Sequence, residues 1–261
     1  MEKLSLETYN KYYSRLDVLF EIIKTMKGRE VAFIRDDGMI FKGIKAHNVS
    51  YLQNNMKAFK FDEKIFNIYN SVASVFNMPM FSYAPDKRSE QYAFFAKNFK
   101  NYFTDYDFCF DFDNEDNLDY CHTEASIVKN LLDDYNVPYY IKFSGNGFHI
   151  VISGEIIEAS TPMDKLKNIN YYGTYLADFY GLKNIDKSIY DIRRLFKTPY
   201  SLDFKSGLVA LPLSDEEFKN FNLDLVKPEN VMKMDLRHRG LLIRKGTKEG
   251  FKNFVNEIIY D

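Results

Sequence analysis

The run Asp107 to Asp113, DFCFDFD, constrains this chain more than any other stretch. Side chains on a strand alternate between faces, so Phe108, Phe110 and Phe112 share one face while Cys109, Asp111 and Asp113 share the other. The aromatic face calls for a core, and the acidic face cannot join it. Two carboxylates pointing the same way repel unless positive charge stands between them, so the segment asks for a bound cation or basic side chains. The competing reading is a buried strand that runs into the acidic turn Asn114-Glu115-Asp116.

Bulk properties narrow the setting. At 261 residues, with 46% apolar and 17% aromatic side chains, the chain is long enough for a large core and too hydrophobic for disorder. No apolar run approaches the roughly 18–20 residues of a membrane span. The N-terminal MEKLSLETYN lacks the apolar region and cleavage site of a signal peptide, so a cytoplasmic protein is expected. Cys109 and Cys121 form no C-x-x-C pair, which argues against a disulfide framework or a zinc knuckle. A net charge of −2 excludes binding to nucleic acid by bulk charge, but not by a local patch. Between Lys227 and Lys252, eight Lys or Arg stand against three acids, a net of +5. That segment, with Arg237, Arg239, Arg244 and Lys245, is either a solvated face or a track for phosphates.

Periodicity predicts a first helix over 5–26 and a hairpin over 29–44 turning at Asp37-Gly38. It predicts helices over 62–77 and 89–100, the acidic strand, and a helix from a Thr123 cap to Tyr135. YYIKF and FHIVIS read as paired strands around SGNG. A helix opens at Thr161-Pro162 and closes at Gly181, and a last one starts near Thr247. The order gives an α+β fold with helices on a largely antiparallel sheet.

Ile141 to Gly154, IKFSGNGFHIVISG, repeats the oddity of the acidic strand. Phe148, Ile150 and Ile152 share one face and His149 takes the other. Gly145 and Gly147 let the backbone turn tightly and approach a ligand, and Ser144 offers a hydroxyl and an amide. Each feature alone fits a hairpin turn or a structural histidine. Together, downstream of an Asp-x-Asp strand, they suit a metal–triphosphate site. A third carboxylate, Asp191, lies in a short apolar strand pattern, and Arg193, Arg194, Lys197 and Lys205 follow it.

These motifs, in this order, resemble the archaeo-eukaryotic primase superfamily, the catalytic small subunit of primases and the related primase-polymerases. The matching residues are Asp111 and Asp113; Ser144, Gly145, Gly147 and His149; and Asp191, Arg194, Leu195, Pro199, Ser201, Leu202, Lys205 and Gly207, with REVAF at Arg29 to Phe33 as an N-terminal match. The resemblance covers roughly residues 28–213. It implies one primase-polymerase catalytic domain, with an N-terminal α/β unit (1–104) packed on an RRM-like catalytic unit (105–213) and a basic C-terminal segment (214–261). It implies template-directed nucleotidyl transfer from NTPs or dNTPs with two Mg²⁺ or Mn²⁺ ions held by Asp111, Asp113 and Asp191. Ser144, Gly145, Gly147, His149, Lys205 and, more weakly, Arg194 or its neighbour Arg193 would hold the triphosphate. Arg237, Arg239, Arg244 and Lys245 would serve template or primer phosphates. The implied partners are single-stranded DNA template and primer, with room for a large subunit or fused partner domain and none for a membrane. Two departures stand out: there are no zinc-knuckle cysteines, and Asp203 takes a position where many relatives have His. The rival functions are an Asp-x-Asp glycosyltransferase using a nucleotide sugar and a non-catalytic nucleic-acid-binding module of the same fold.

Overall fold

The Asp37-Gly38 pair closes a hairpin because Gly38 adopts φ +87°, a backbone angle that side chains with a Cβ resist. The structure, a computed structural model, describes residues 4–44, 46–76, 88–114 and 117–260. The hairpin strands β1 (Arg29–Arg35) and β2 (Ile40–Ile44) begin a first antiparallel sheet. Its long strand β3 (Phe66–Val75) pairs with β1 on one edge. On the other edge it pairs with both β4 (Phe103–Tyr106) and β8 (Leu195–Lys197). A second antiparallel sheet has the order β5-β7-β6-β9, from β5 (Phe108–Asp113), β6 (Tyr140–Phe143), β7 (Gly147–Ile152) and β9 (Pro212–Leu213). Helices α6 (Leu118–Asp134) and α7 (Pro162–Phe179) pack on its aromatic face. The β-α-β-β-α order of this second unit fits the RRM-like expectation, and the α+β fold class holds. β8 lies late in the chain yet joins the first sheet, so the two units are interwoven.

The remaining helices are α1 (Leu6–Tyr13), α2 (Leu16–Met26), α3 (Val49–Ala58), α4 (Arg88–Lys97), α5 (Phe99–Tyr102), α8 (Asp215–Lys219), α9 (Pro228–Val231) and α10 (Lys248–Val255). The single helix expected over 5–26 is two. Arg15 takes an extended conformation between them, and its guanidinium reaches the Met232 and Met234 carbonyls as well as Asp17. The helix expected over 62–77 is strand β3. Its apolar residues recur at helical spacing by coincidence, because a strand covered on both faces loses its alternation. The end of that expected helix, near Pro79, and the acidic turn at 115–116 lie outside the described residues. Helix α3 was not expected; Asn48 caps it by accepting from the Tyr51 N–H at 2.9 Å. α6 starts earlier than Thr123, at an Asn117 cap. Thr161 caps α7 and Thr247 caps α10, as expected.

Ionic ties join the layers. Arg29 pairs with Asp107 at 2.6 Å. Glu30, almost wholly buried, pairs with Arg193, whose guanidinium also lies 4.3 Å from the centre of the Phe95 ring. Truncating one partner of a buried ion pair strands the other charge, so Glu30→Ala is expected to cost about 3–5 kcal/mol in urea unfolding. A loss under about 1 kcal/mol would show that Arg193 finds water without Glu30.

Candidate active site

Strand register sets out the site as rows. Asp111 on β5 faces His149 on β7, and His149 faces Lys142 on β6. The row below is Cys109, Val151 and Tyr140; Cys109 and Val151 pack with Val72, Ile189 and Phe196 in the seam between the sheets. Above it come exposed Asp113, Gly147 and the turn at Ser144. The Asp111 row is therefore where the packed seam opens into a cleft of about 760 Å³. Asn67 and Tyr69 of β3 line the cleft from the opposite sheet, together with Arg194, Lys197 and Lys205.

His149 Nε2 lies 3.0 Å from Asp111 Oδ1. Burial opposes charge on Asp111, but His149 and then Arg194 outweigh it and hold the carboxyl below its usual range. Burial, reinforced by the Lys142 ammonium, pushes His149 down to about 4 despite the pull of Asp111. At neutral pH the imidazole is thus neutral and donates Nε2–H to an ionised Asp111, and its buried Nδ1 has no hydrogen-bond partner. The sequence reading gave His149 to the triphosphate; here its donor is spent on Asp111. The unfolded imidazole binds its proton near pH 6.5 and the folded one near 4. In that window the unfolded state holds more protons, so this contribution is complete above pH 6.5 and is lost as pH falls toward 4, about 3 kcal/mol in full. NMR of the ring nitrogens should show His149 neutral at pH 5.5; a midpoint at or above 6.5 would contradict the geometry.

The glycine turn is fixed by close approach. Gly145 has φ +117°, and a Cβ there would lie 2.7 Å from Lys197 Nζ and 2.9 Å from Asp203 Oδ2. Lys197 pairs with Asp203 at 2.9 Å. Burial opposes charge on Asp203, but Lys197, Asn67 and Ser206 hold its carboxyl low. Ser144 is buried beside the turn, its N–H donating to Gly147 O at 2.9 Å, and Asn146 donates to Asp113 at 2.6 Å. Lys205 stands exposed on the cleft rim.

The structure does not bring Asp191 together with Asp111 and Asp113. Asp191 accepts the Arg193 N–H and lines a separate small cavity with Tyr106 and Cys109; it does not line the cleft. The carboxylate brought beside Asp111 belongs to Asp186. A single bridge joins Phe112 to Ile185 along the free edge of β5, and the Asp186 N–H donates to Asp111 O at 2.9 Å. Lys187–Ile189 then form a 3₁₀ turn that carries Asp191 past the cleft. Arg194, not Arg193, turns inward: its Nη2 is 2.7 Å from Asp186 Oδ2 and 3.8 Å from Asp111 Oδ2. The C-terminal arginines each pair with an acid of this chain. Arg237 pairs with Asp235 at 2.8 Å, Arg239 with Glu217 at 2.5 Å and Arg244 with Asp215 at 3.0 Å. Lys245 is exposed.

Sequence reasoning assigned no role to three residues at or beside the site: Lys197, which lines the cleft, Asp186, which meets it through Arg194, and Lys142, which lies behind it. Lys142 carried a signal, since it sits between Ile141 and Phe143 much as Asp111 sits between Phe110 and Phe112. The anionic oxygen donors Asp111, Asp113 and Asp186 suit a hard divalent cation in chemistry. In geometry, the Arg194 guanidinium stands as the cation between Asp111 and Asp186. Among the described residues no group of three or more His, Cys, Asp or Glu is arranged to hold a metal. A divalent ion there would have to displace that guanidinium.

No protein-family model matches the sequence, and no curated protein matches it. No helix among the described residues is long and apolar enough to cross a membrane. Among solved structures, the chain is similar to the polymerase domain of Mycobacterium tuberculosis Ligase D, in complex with DNA, with a TM-score of 0.57 and 14% identity over 93% of this chain and 96% of that one. The chain shares the fold of a polymerase domain over nearly its whole length.

Proposed function

We propose that this chain is a nucleotidyltransferase of the primase-polymerase kind, extending or starting a nucleic-acid strand on a single-stranded DNA template. The observation that carries the reading is that buried Asp111 lines a cleft together with a glycine turn and the basic side chains Arg194, Lys197 and Lys205. Such a cleft offers carboxylate oxygens for a cation and basic side chains for phosphates. The fold likeness to a polymerase domain solved with DNA supports the same reading.

In this reading Asp111, Asp113 and Asp186 would hold Mg²⁺ or Mn²⁺ once Arg194 is displaced, with Asp186 in the role first given to Asp191. When bound, such ions would activate the primer 3′-hydroxyl and neutralise the leaving pyrophosphate. His149 keeps Asp111 ionised and oriented. Gly145 lets the Lys197 ammonium sit against the turn, where it and Lys205 would offset phosphate charge. Arg194, once released from the carboxylates, adds a guanidinium on the same side. The residues supply position and field, and no protein nucleophile is needed.

The test is incubation with primed and unprimed single-stranded DNA, Mn²⁺ and labelled dNTPs or NTPs. Template-dependent incorporation is expected, and its absence under both primer conditions would reject the reading. The absence of a preformed three-ligand metal group among the described residues favours a second reading, a non-catalytic nucleic-acid-binding module. Calorimetric titration with Mn²⁺ separates the two: a module of that kind takes up no ion at the cleft.

A further inference from the structure

Lys142 is 1% exposed, and its Nζ donates to the backbone oxygen of Lys197 at 2.6 Å. β6, which carries Lys142, belongs to the second sheet, and β8, which ends at Lys197, belongs to the first. The bond therefore crosses the seam between the sheets where it opens into the cleft. One residue further along, the Thr198 N–H donates to Ile68 O of β3 at 2.9 Å, so the backbone at the end of β8 is held from both sheets.

A buried ammonium is a poor choice for stability alone. Burial and the nearby Lys197 charge push its pKa down to about 7, whereas an apolar side chain of similar length would fill the space without that cost. What the ammonium does secure is the position of one backbone carbonyl. The side chain on that residue places its own ammonium over Gly145 and against Asp203, within the cleft.

We propose that Lys142 is a positioning residue for the phosphate-binding side of the cleft: by holding the Lys197 carbonyl across the seam, it sets where the Lys197 ammonium meets a nucleotide. The inference rests on the nucleotidyl-transfer reading and adds to it a residue that touches neither substrate nor metal.

The experiment is a double-mutant cycle in the full chain, measuring KM for dNTP and kcat in Mn²⁺-dependent primer extension for wild type, Lys142→Met, Lys197→Met and the double variant. Lys142→Met should raise KM about tenfold with kcat within about threefold of wild type, and without lowering the melting temperature. In the Lys197→Met background it should add nothing, because its effect passes through Lys197. An unchanged KM, or a rise that multiplies with that of Lys197→Met, overturns the proposal. Should Lys142→Met fail to fold, Lys142→Gln, whose amide is polar but too short for the same bond, is read by the same criteria. A wild-type chain with no turnover would remove the nucleotidyl-transfer reading and this inference with it, whereas wild-type turnover with a flat cycle removes only the inference.

Discussion

Asp111→Asn is expected to lower template-dependent extension by about 10³-fold or more while leaving the fold intact. The substitution preserves shape, and the amide oxygen still accepts from His149 Nε2, which lies 3.0 Å from the carboxylate. What it removes is the charge that His149 and Arg194 stabilise against burial. Asp186→Asn should fall in the same direction, since its carboxylate shares the Arg194 guanidinium with Asp111. Asp191→Asn should stay within about threefold of wild type, because that side chain lies outside the cleft. Primer extension at saturating dNTP, alongside circular dichroism, reads all three. Activity surviving in Asp111→Asn, or lost in Asp191→Asn but kept in Asp186→Asn, would contradict the assignment.

A large stability effect is expected from Gly147→Ala. A Cβ at this position would stand 1.9 Å from Phe112 O and 2.9 Å from Phe112 C, both backbone atoms of the neighbouring strand. No rotamer change relieves a clash between main chains, so β5 and β7 would have to separate at the pair Asp113 and Gly147, next to Asp111 and His149. A loss of at least about 3 kcal/mol is expected in urea unfolding, together with loss of nucleotide binding. Gly38→Ala is the control: its Cβ would meet nothing within 4 Å, and its positive φ costs only about 1 kcal/mol. If Gly147→Ala unfolded no more easily than Gly38→Ala, the close approach of the two strands would be refuted.

Local alternation made much of the second sheet legible in the sequence. It separates Phe108, Phe110 and Phe112 from Asp111, and Phe148, Ile150 and Ile152 from His149, and the glycine pair marks the tight turn between β6 and β7. Helices with a cap and a stop, such as α7 between Thr161 and Gly181, are also readable because their signals lie within the element. What was misread depends on distant partners. β3 lost its alternation because both of its faces are covered, with Ile68 and Ala73 in the main core and Val72 in the seam between the sheets. The break between α1 and α2 is held by carbonyls more than 200 residues away, at Met232 and Met234. Asp186 and Asp191 look alike in sequence, and only the 3₁₀ turn between them decides which one meets Asp111. The basic run at the C-terminus counted charges but could not show that Glu217 and Asp215 already hold Arg239 and Arg244.

The central claim is that Asp111 and Asp186 share one cation beside a glycine turn that receives a triphosphate. A crystal grown with Mn²⁺ and a non-hydrolysable dNTP analogue, with Mn²⁺ located by its anomalous signal, addresses this directly. The account predicts Mn²⁺ bonded to oxygens of Asp111 and Asp186 with Arg194 displaced from between them, and phosphates lying over Gly145 near Lys197. Mn²⁺ bound elsewhere, with Arg194 still bridging the two carboxylates and the nucleotide away from the turn, would contradict it.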